Sequence, residues 1–412
     1  METEQMPPPC LSDVRVIDLS HVIAGPAASM YLAALGAEVL KVENPRAPDV
    51  MRFVEGGPEG AMSSTFATLN AGKKSLAIDL KNPRLRDVLF GLLRDADVLI
   101  ENFRPGVAER LGIGYEAVRA INPRIIYLSI SGYGQAGAWS RFGAYDQVVQ
   151  ALTGMMMANG EEDGPPTKVG FPVVDIATGM LGAMSVLAAL HRRAATDAGS
   201  RIDTSLAQGA LQLMRPMAVR VLATEQDGPR PGNRGFSGSP GAATFRCAGG
   251  WLAVAANTRR QFGVLCDLLG LPGVADDPAL VRQVGDGGAT NVLPVDAAEL
   301  RRRLEGAFAR HDAAALELRL NAAGVPAARV RRMGEFLHEA RHGLHVDPGL
   351  QRLQGDAGAF LQLGPGVAGL GVAGATPAPM LGAGTADILR RAGLSPEEIG
   401  ALAQDGAIRV SG

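Results

Sequence analysis

The chain has 412 residues, with 40 basic and 42 acidic side chains and a formal net charge of −2. So even a balance gives no electrostatic case for nucleic acid or an anionic membrane, and 5% aromatic residues supply no stacking platform for single strands. Three cysteines (Cys10, Cys247 and Cys266) are too few and too scattered for a disulfide framework or a thiolate zinc site.

At about 150 residues per domain the length implies two or three domains. The first residues carry acids where a signal peptide carries a basic region. The chain reads as having no apolar run of about 18 residues, so no membrane span and a cytoplasmic location are expected. In chain order, residues 14–20 (VRVIDLS) form a short apolar run, the pattern of a buried strand. Gly25-Pro26 then opens a helix, with proline in its first turn, and Gly36 closes it. Further strands are expected over 38–42, 75–80, 97–102 and 125–130, with helices over 83–95, 106–111 and 115–121 between them. Strands alternating with helices imply βαβ units and a mostly parallel sheet. A long helix is expected over about 174–195.

The character changes near residue 225, where a Gly/Pro/Ser/Arg-rich loop runs over 227–243. A two-strand pattern turns around Gly249-Gly250, and helices follow. The expected division is a large domain over 1–225, a small domain over 226–323, and 324–412 as a linker returning to the large domain. Residues 381–410 read as a helix pair, with Ser395-Pro396 starting the second helix.

Two short motifs suggest other chemistry. Gly112, Gly114 and Ala117 fit a loose dinucleotide fingerprint, but they follow a helical stretch where a Rossmann loop must follow a strand, so no NAD is expected. His338-Glu339-Ala340-Arg341-His342 matches H-E-x-x-H, which on a helix puts two imidazoles on one face for zinc with Glu339 as base. His345 lies just beyond, where the longer zinc motif requires glycine, and no third ligand is evident. A solvated helix end is the plainer reading, and no metal is expected.

Asp175 is the most informative residue. Pro172 biases its neighbour to extended backbone, so a helix should start near Asp175. A carboxylate there faces the helix amides and the positive end of the dipole, which would keep it ionised and able to attack an acyl group. The plainer reading is a helix cap worth about 1 kcal/mol.

Six blocks in order carry a resemblance: 14–45 (VRVIDLSHVIAGPAASMYLAALGAEVLKVENP), 69–83 (LNAGKKSLAIDLKNP), 96–116 (ADVLIENFRPGVAERLGIGYE), 122–137 (NPRIIYLSISGYGQAG), 144–156 (AYDQVVQALTGMM) and 169–180 (VGFPVVDIATGM). Together they resemble the family III CoA-transferases, the CaiB/BaiF superfamily with formyl-CoA and carnitine CoA-transferases, over about 11–410. The resemblance implies an α/β fold: a Rossmann-like large domain built from both chain ends, plus a smaller inserted α/β domain. It also implies an interlocked homodimer in which each ring-shaped subunit threads the other.

By the same resemblance Asp175 is the nucleophile. Its carboxylate attacks the donor thioester, giving a mixed anhydride and CoA thiolate. The thiolate attacks the enzyme carbonyl and leaves an aspartyl-CoA thioester, from which the acceptor carboxylate recovers CoA. Coenzyme A, as acyl-CoA, is then a substrate. Tyr145 is expected beside Asp175. His21, Val22 and Ile23 are expected at the thioester end, and Ile78 and Leu80 around the adenine. Lys81, Asn102, Phe103 and Arg110 are expected along the nucleotide and diphosphate. The loop 235–241, with Gly235, Ser237 and Gly238, is the implied lid that excludes water, and an ordinary domain-entry loop is the alternative.

The sequence departs from the family in places. Ile23 stands where formyl-CoA transferase has a glutamine, which argues against oxalate and formate. Asn44 stands where an arginine for a CoA phosphate occurs, and Arg46 is its expected substitute. The expected substrates are therefore an acyl-CoA donor such as succinyl-CoA and a C4–C5 dicarboxylate, with Arg52 and Arg141 either clamps for a carboxylate or plain surface arginines. The alternatives are an α-methylacyl-CoA racemase of the same superfamily, whose histidine base is missing between His21 and His191, the zinc hydrolase at His338, Glu339 and His342, and a catalytically silent CoA-binding paralogue.

Overall fold

Short apolar runs such as Val98-Leu99-Ile100 become parallel strands because helices cover both faces of the sheet they form. The computed structural model describes residues 8–54, 62–285, 291–342, 349–355, 358–367 and 376–411. Its first six strands are β1 (Arg15–Asp18), β2 (Glu38–Glu43), β3 (Lys74–Ile78), β4 (Val98–Glu101), β5 (Ile126–Ser131) and β6 (Ser200–Ser205). There follow β7 (Gly241–Cys247), β8 (Gly250–Ala256), β9 (Val281–Val284), β10 (Asn291–Pro294), β11 (Ala327–Arg329), β12 (Leu350–Gly355), β13 (Gly358–Leu363) and β14 (Ile408–Arg409). The protein is a mixed α/β fold with a parallel-dominated central sheet, whose strands run in the order β14-β3-β2-β1-β4-β5-β6. Only β14 is antiparallel, so the last residues of the chain close the edge beside β3.

The chain divides into two compact units. The first comprises Met1–Met155, Lys168–Gln226 and Asp347–Gly412, and holds the seven-stranded sheet. One face of that sheet carries a core of Val16, Val39, Ile100 and Leu128 against the helices Ala24–Ala34 and Val173–Thr196. The other carries Ile17, Leu76, Leu99 and Tyr127 against the helix Pro83–Arg94. The C-terminal helices Thr385–Arg391 and Pro396–Gln404 match the expected pair, and Ser395 opens the second with a capping box to Glu398.

The helix Val173–Thr196 corrects one expectation. Its 24 residues are long and apolar enough to cross a membrane by length and composition, with a mean hydropathy of 1.9 over its most apolar window. One stripe of it is buried in the first unit, and 44% of that window lies inside. Val174, Gly179, Gly182, Ala183, Val186 and Ala189 are inside, against the sheet and the helix Ala24–Ala34. Glycine is required at that crossing, since a Cβ on Gly179 would lie 2.6 Å from the Ala27 Cβ and 2.8 Å from the Ala24 carbonyl oxygen.

The second unit comprises Met156–Thr167 and Asp227–Val346. Its three-stranded sheet, in the order β11-β8-β7, packs Phe245, Leu252, Phe262 and Phe308 into a core of its own. It takes in two stretches that the sequence reading placed elsewhere. Residues 156–167 belong to it because Arg230 Nη1 donates to the Gly164 and Pro165 carbonyls and Gly232 N–H to the Gly160 carbonyl. Residues 324–342 belong to it because β11 pairs with β8 and Arg331 binds Glu317 and Glu339.

Candidate active site

In a parallel sheet with strand order 3-2-1-4-5-6, ligands bind beyond the carboxyl ends of the strands, where the winding reverses between β1 and β4. The first unit has a cavity of about 180 Å³ there. Val22, Ile23 and Ala24 line it directly after β1, and Asn102, Phe103, Arg104 and Pro105 after β4. Ile130, Ser131 and Gly132 come from the end of β5, and Leu206 follows β6. Ser140, Phe142, Ala144 and Tyr145 come from the segment after β5, and Asp175 from the first turn of the helix Val173–Thr196.

Asp175 is 8% exposed, and burial pushes its carboxyl up to about 7, with the neighbouring Asp146 charge adding to the rise. This corrects the expected electrostatics. The helix amides do not hold the Asp175 carboxylate, because Asp146 occupies them: its Oδ2 accepts from Val174 N–H at 2.7 Å and from Asp175 N–H at 3.1 Å. Gln150 Nε2 donates to the other oxygen of Asp146. A carboxyl buried in this way is weakly solvated when ionised, which favours attack on an acyl carbon over resting charge.

The helix Ala24–Ala34 opens onto the same cavity. No side chain caps it, Pro26 brings no N–H, and Ala24 of its first turn lines the cavity, so this uncapped helix start is a source of backbone donors beside the site. Gly25 cannot be larger, since a Cβ there would lie 2.2 Å from the Ser20 Cβ.

Of the other expected residues, Tyr145, Val22, Ile23, Asn102 and Phe103 share the cavity with Asp175. Tyr145 is 69% exposed. Asn102 spends both ends of its amide on the loop after β1: Oδ1 accepts from His21 N–H at 2.8 Å and Nδ2 donates to the His21 carbonyl at 2.7 Å. The His21 ring lies 6.1 Å from the Phe103 ring, and burial pushes its pKa down, with Lys41 adding to the effect, so the imidazole is neutral. It is not among the lining residues.

The remaining expected residues lie outside the lining of this cavity. Ile78 has its side chain fully buried in the sheet core, and Leu80 is partly buried against the same core. Lys81 and Arg110 are exposed and outside the cavity lining, and Arg46 is exposed with its guanidinium on the Asp405 carbonyl. Arg52 is neither a surface residue nor a free clamp. It is buried, donates to Glu43 Oε1 at 2.9 Å and Oε2 at 2.6 Å, and lies 3.9 Å over the Phe66 ring. Arg141 is exposed and does not line the cavity. The basic residue that does is Arg104, overlooked in the sequence because its neighbours carry the motif. It is the only cation among the described lining residues and has no carboxylate partner among the described residues. A Cβ placed on Gly143 would lie 3.6 Å from its Nη2, so the guanidinium runs past that glycine.

Gly235, Ser237 and Gly238 lie in the second unit, where Ser237 Oγ donates to Asn257 Oδ1 at 2.5 Å and Gly238 takes φ 72°. His338 and His342 share the helix Met333–His342 with ring centroids 4.7 Å apart, and His345 lies outside the described residues. Glu339 is bound by Arg329 and Arg331, which hold its carboxyl below the usual range and make it a poor base. No group of three metal-ligating side chains occurs among the described residues.

Residues 11–385 match the profile described as CoA-transferase family III. The chain belongs to this family. It is an acyl-CoA:carboxylate CoA-transferase, as the names of its relatives also indicate. It is 34% identical to a succinyl-CoA:glutarate CoA-transferase of Mus musculus over 92% of this chain and 86% of that protein. It is 39% identical to an acetyl-CoA:oxalate CoA-transferase of Acetobacter aceti over 76% of this chain and 78% of that protein. A crystal structure of a CaiB/BaiF family protein from Brucella suis superposes with a TM-score of 0.77 at 28% identity, over 92% of this chain and 98% of that one. Both curated relatives are named for transfer to a dicarboxylate.

Proposed function

We propose that this CoA-transferase moves CoA from succinyl-CoA to a C4–C5 dicarboxylate through an aspartyl-CoA thioester on Asp175. The observation that carries the reading is the presence, in the lining of one cavity, of a single buried carboxyl, Asp175, and a single guanidinium without a carboxylate partner among the described residues, Arg104. The ionised Asp175 oxygen attacks the thioester carbon, and the C–S bond breaks to give a mixed anhydride and CoA thiolate. The uncapped start of the helix Ala24–Ala34, with Ala24 in the cavity lining, supplies backbone donors for the oxygen on which charge builds. The thiolate then attacks the Asp175 carbonyl, releases the donor acid as carboxylate and leaves the aspartyl thioester. The acceptor carboxylate reverses the two steps. The thioester bond is kept in covalent form throughout, so no ATP is needed. Arg104 takes the far carboxylate of the acceptor, as a guanidinium fork suits.

The same reading includes a homodimer. The helix Arg215–Thr224 buries none of its residues, with Leu222 83% exposed, and Met180 and Met184 are exposed on the helix Val173–Thr196. Such an apolar surface fits a partner copy. Light scattering of the purified protein tests this: a dimer agrees, and a monomer at micromolar concentration contradicts it.

The test of function is succinyl-CoA mixed with glutarate, oxalate or acetate, with new acyl-CoA read by chromatography. Glutaryl-CoA formed in preference to acetyl-CoA supports the reading. Equal use of acetate, or no product with any acceptor, overturns it.

A further inference from the structure

Three described non-glycine residues have left-handed backbone: Asp197, Glu225 and Val22. Asp197 and Glu225 end helices, where that conformation is ordinary. Val22, with φ 69°, follows β1 and lines the cavity. A β-branched residue there is strained, and such strain persists only where the surroundings over-determine it.

The surroundings do so. Every backbone polar group from Ser20 N–H to Val22 N–H is bound by a side chain. Ser20 N–H donates to Asp18 Oδ1 at 2.9 Å, and Lys41 Nζ donates to the Ser20 carbonyl at 2.7 Å. Asn102 holds both polar groups of His21. Val22 N–H donates to Asp49 Oδ1 at 3.1 Å. Lys41 and Asp49 are themselves a pair, with Nζ 3.1 Å from Oδ2 and both side chains fully buried. Taking two charges out of water costs about as much as their attraction returns, so such a pair is poorly explained by stability alone. Lys41 also holds the Ser20 carbonyl, and Asp49 Oδ1 accepts both from Val22 N–H and, at 3.1 Å, from Met51 N–H, so the pair ties the backbone on either side of His21 to the turn Val50–Arg52.

We propose that Asp49, held by Lys41, is a positioning residue for CoA transfer. Its Oδ1 keeps Val22 left-handed, which turns the chain so that Ile23 and the first amides of the helix Ala24–Ala34 meet the cavity opposite Asp175. The proposal rests on the reading of this cavity as the active site. An asparagine at 49 presents an NH₂ to the Lys41 ammonium if its oxygen stays on Val22, so one of the two contacts is lost. Glycine at position 22 adopts the same φ without strain and needs no clamp.

The test is a double-mutant cycle of Asp49→Asn and Val22→Gly, read as kcat and KM for succinyl-CoA with glutarate, and as thermal midpoint. Asp49→Asn lowers kcat about tenfold with valine at 22, equivalent to about 1.4 kcal/mol, and less than about twofold with glycine at 22. The shift in thermal midpoint is similar in both backgrounds. An equal loss of kcat in both backgrounds overturns the proposal, since the carboxylate then acts otherwise than through Val22. If Asp49→Asn fails to fold with valine at 22, folded and active protein with glycine at 22 supports the proposal, and failure in both overturns it. A crystal structure of Asp49→Asn gives a readout independent of turnover. Val22 leaving the left-handed region supports the proposal, and Val22 staying there overturns it. Absence of any transfer by the unaltered protein is a separate failure, of the substrate reading, and leaves the crystallographic readout to decide.

Discussion

Asp146 caps the helix that carries Asp175, accepting hydrogen bonds from the backbone of Val174 and of Asp175 itself. The capping carboxylate thus takes the amides that would otherwise stabilise the Asp175 charge, and adds a like charge beside it. Burial is the larger cause of the raised Asp175 pKa and Asp146 the smaller. The acid limb of kcat/KM is therefore expected near 7, well above the ordinary carboxylate range. In Asp146→Asn the amide oxygen still caps the helix but the charge is gone, so the limb moves part of the way down. A pH–rate profile of both proteins checks this, and an unmoved limb contradicts the role given to Asp146.

The same shift makes a statement about stability. The Asp175 pKa rises from 3.8 unfolded to about 7 folded, so between those values the folded protein keeps a proton that the unfolded chain releases. Stability from this group is present at low pH and is lost as pH rises toward 7. Asp175→Asn removes the dependence. Its thermal midpoint is expected above that of the unaltered protein at about pH 8, with the gap closing by about pH 4. Melting curves at both pH values decide, and a gap that does not change with pH contradicts the assignment.

Arg104 supplies the test of selectivity. Arg104→Gln is expected to raise KM for glutarate about tenfold or more, the factor for losing a charge-assisted contact. KM for acetate is expected to change little, and Arg104→Lys to fall between. Acceptor kinetics at saturating succinyl-CoA measure this. A uniform rise in KM for every acyl-CoA donor, with acceptor selectivity unchanged, would instead assign Arg104 to a CoA phosphate.

Gly179 sets the distance between the helix bearing Asp175 and the helix Ala24–Ala34. Gly179→Ala forces the two apart against backbone, at a cost of about 1–3 kcal/mol. It should also lower kcat, because the same displacement moves Asp175 relative to the start of the helix Ala24–Ala34 on the other side of the cavity. Denaturant unfolding and steady-state rates check both. A destabilised protein with unchanged kcat would show that the crossing supports the fold without setting the site.

How much of this was legible in the sequence depended on where each signal is carried. β1 to β5 were readable because both faces of each are buried, which writes an apolar run such as residues 14–20. β6, with the sequence SRIDTS, was not, because it lies at the sheet edge, where Arg201 and Asp203 are exposed and its buried positions are Ser200, Thr204 and Ser205 rather than an apolar run. β14 escaped because two residues carry no period, and their pairing with β3 is set some 330 positions away. Among site residues, Asp175 was found by its place after Pro172 and by the family blocks. Its raised pKa was not, because Asp146, 29 positions earlier, intercepts the helix amides, and only the fold brings the two together. Arg52 reads in sequence like any arginine, and its burial on Glu43 and Phe66 is a property of the packing. Ile78 reads in sequence as a strand residue, and the full burial of its side chain is set by how the helices pack on the sheet.

The most direct measurement is intact-protein mass spectrometry after mixing with succinyl-CoA, followed by peptide mapping, with Asp175→Ala as the control. The account predicts a mass gain of one CoA less one water on the peptide containing Asp175, discharged by a dicarboxylate acceptor and absent in the variant. No adduct with any acyl-CoA donor, or an adduct that persists in Asp175→Ala, would contradict it.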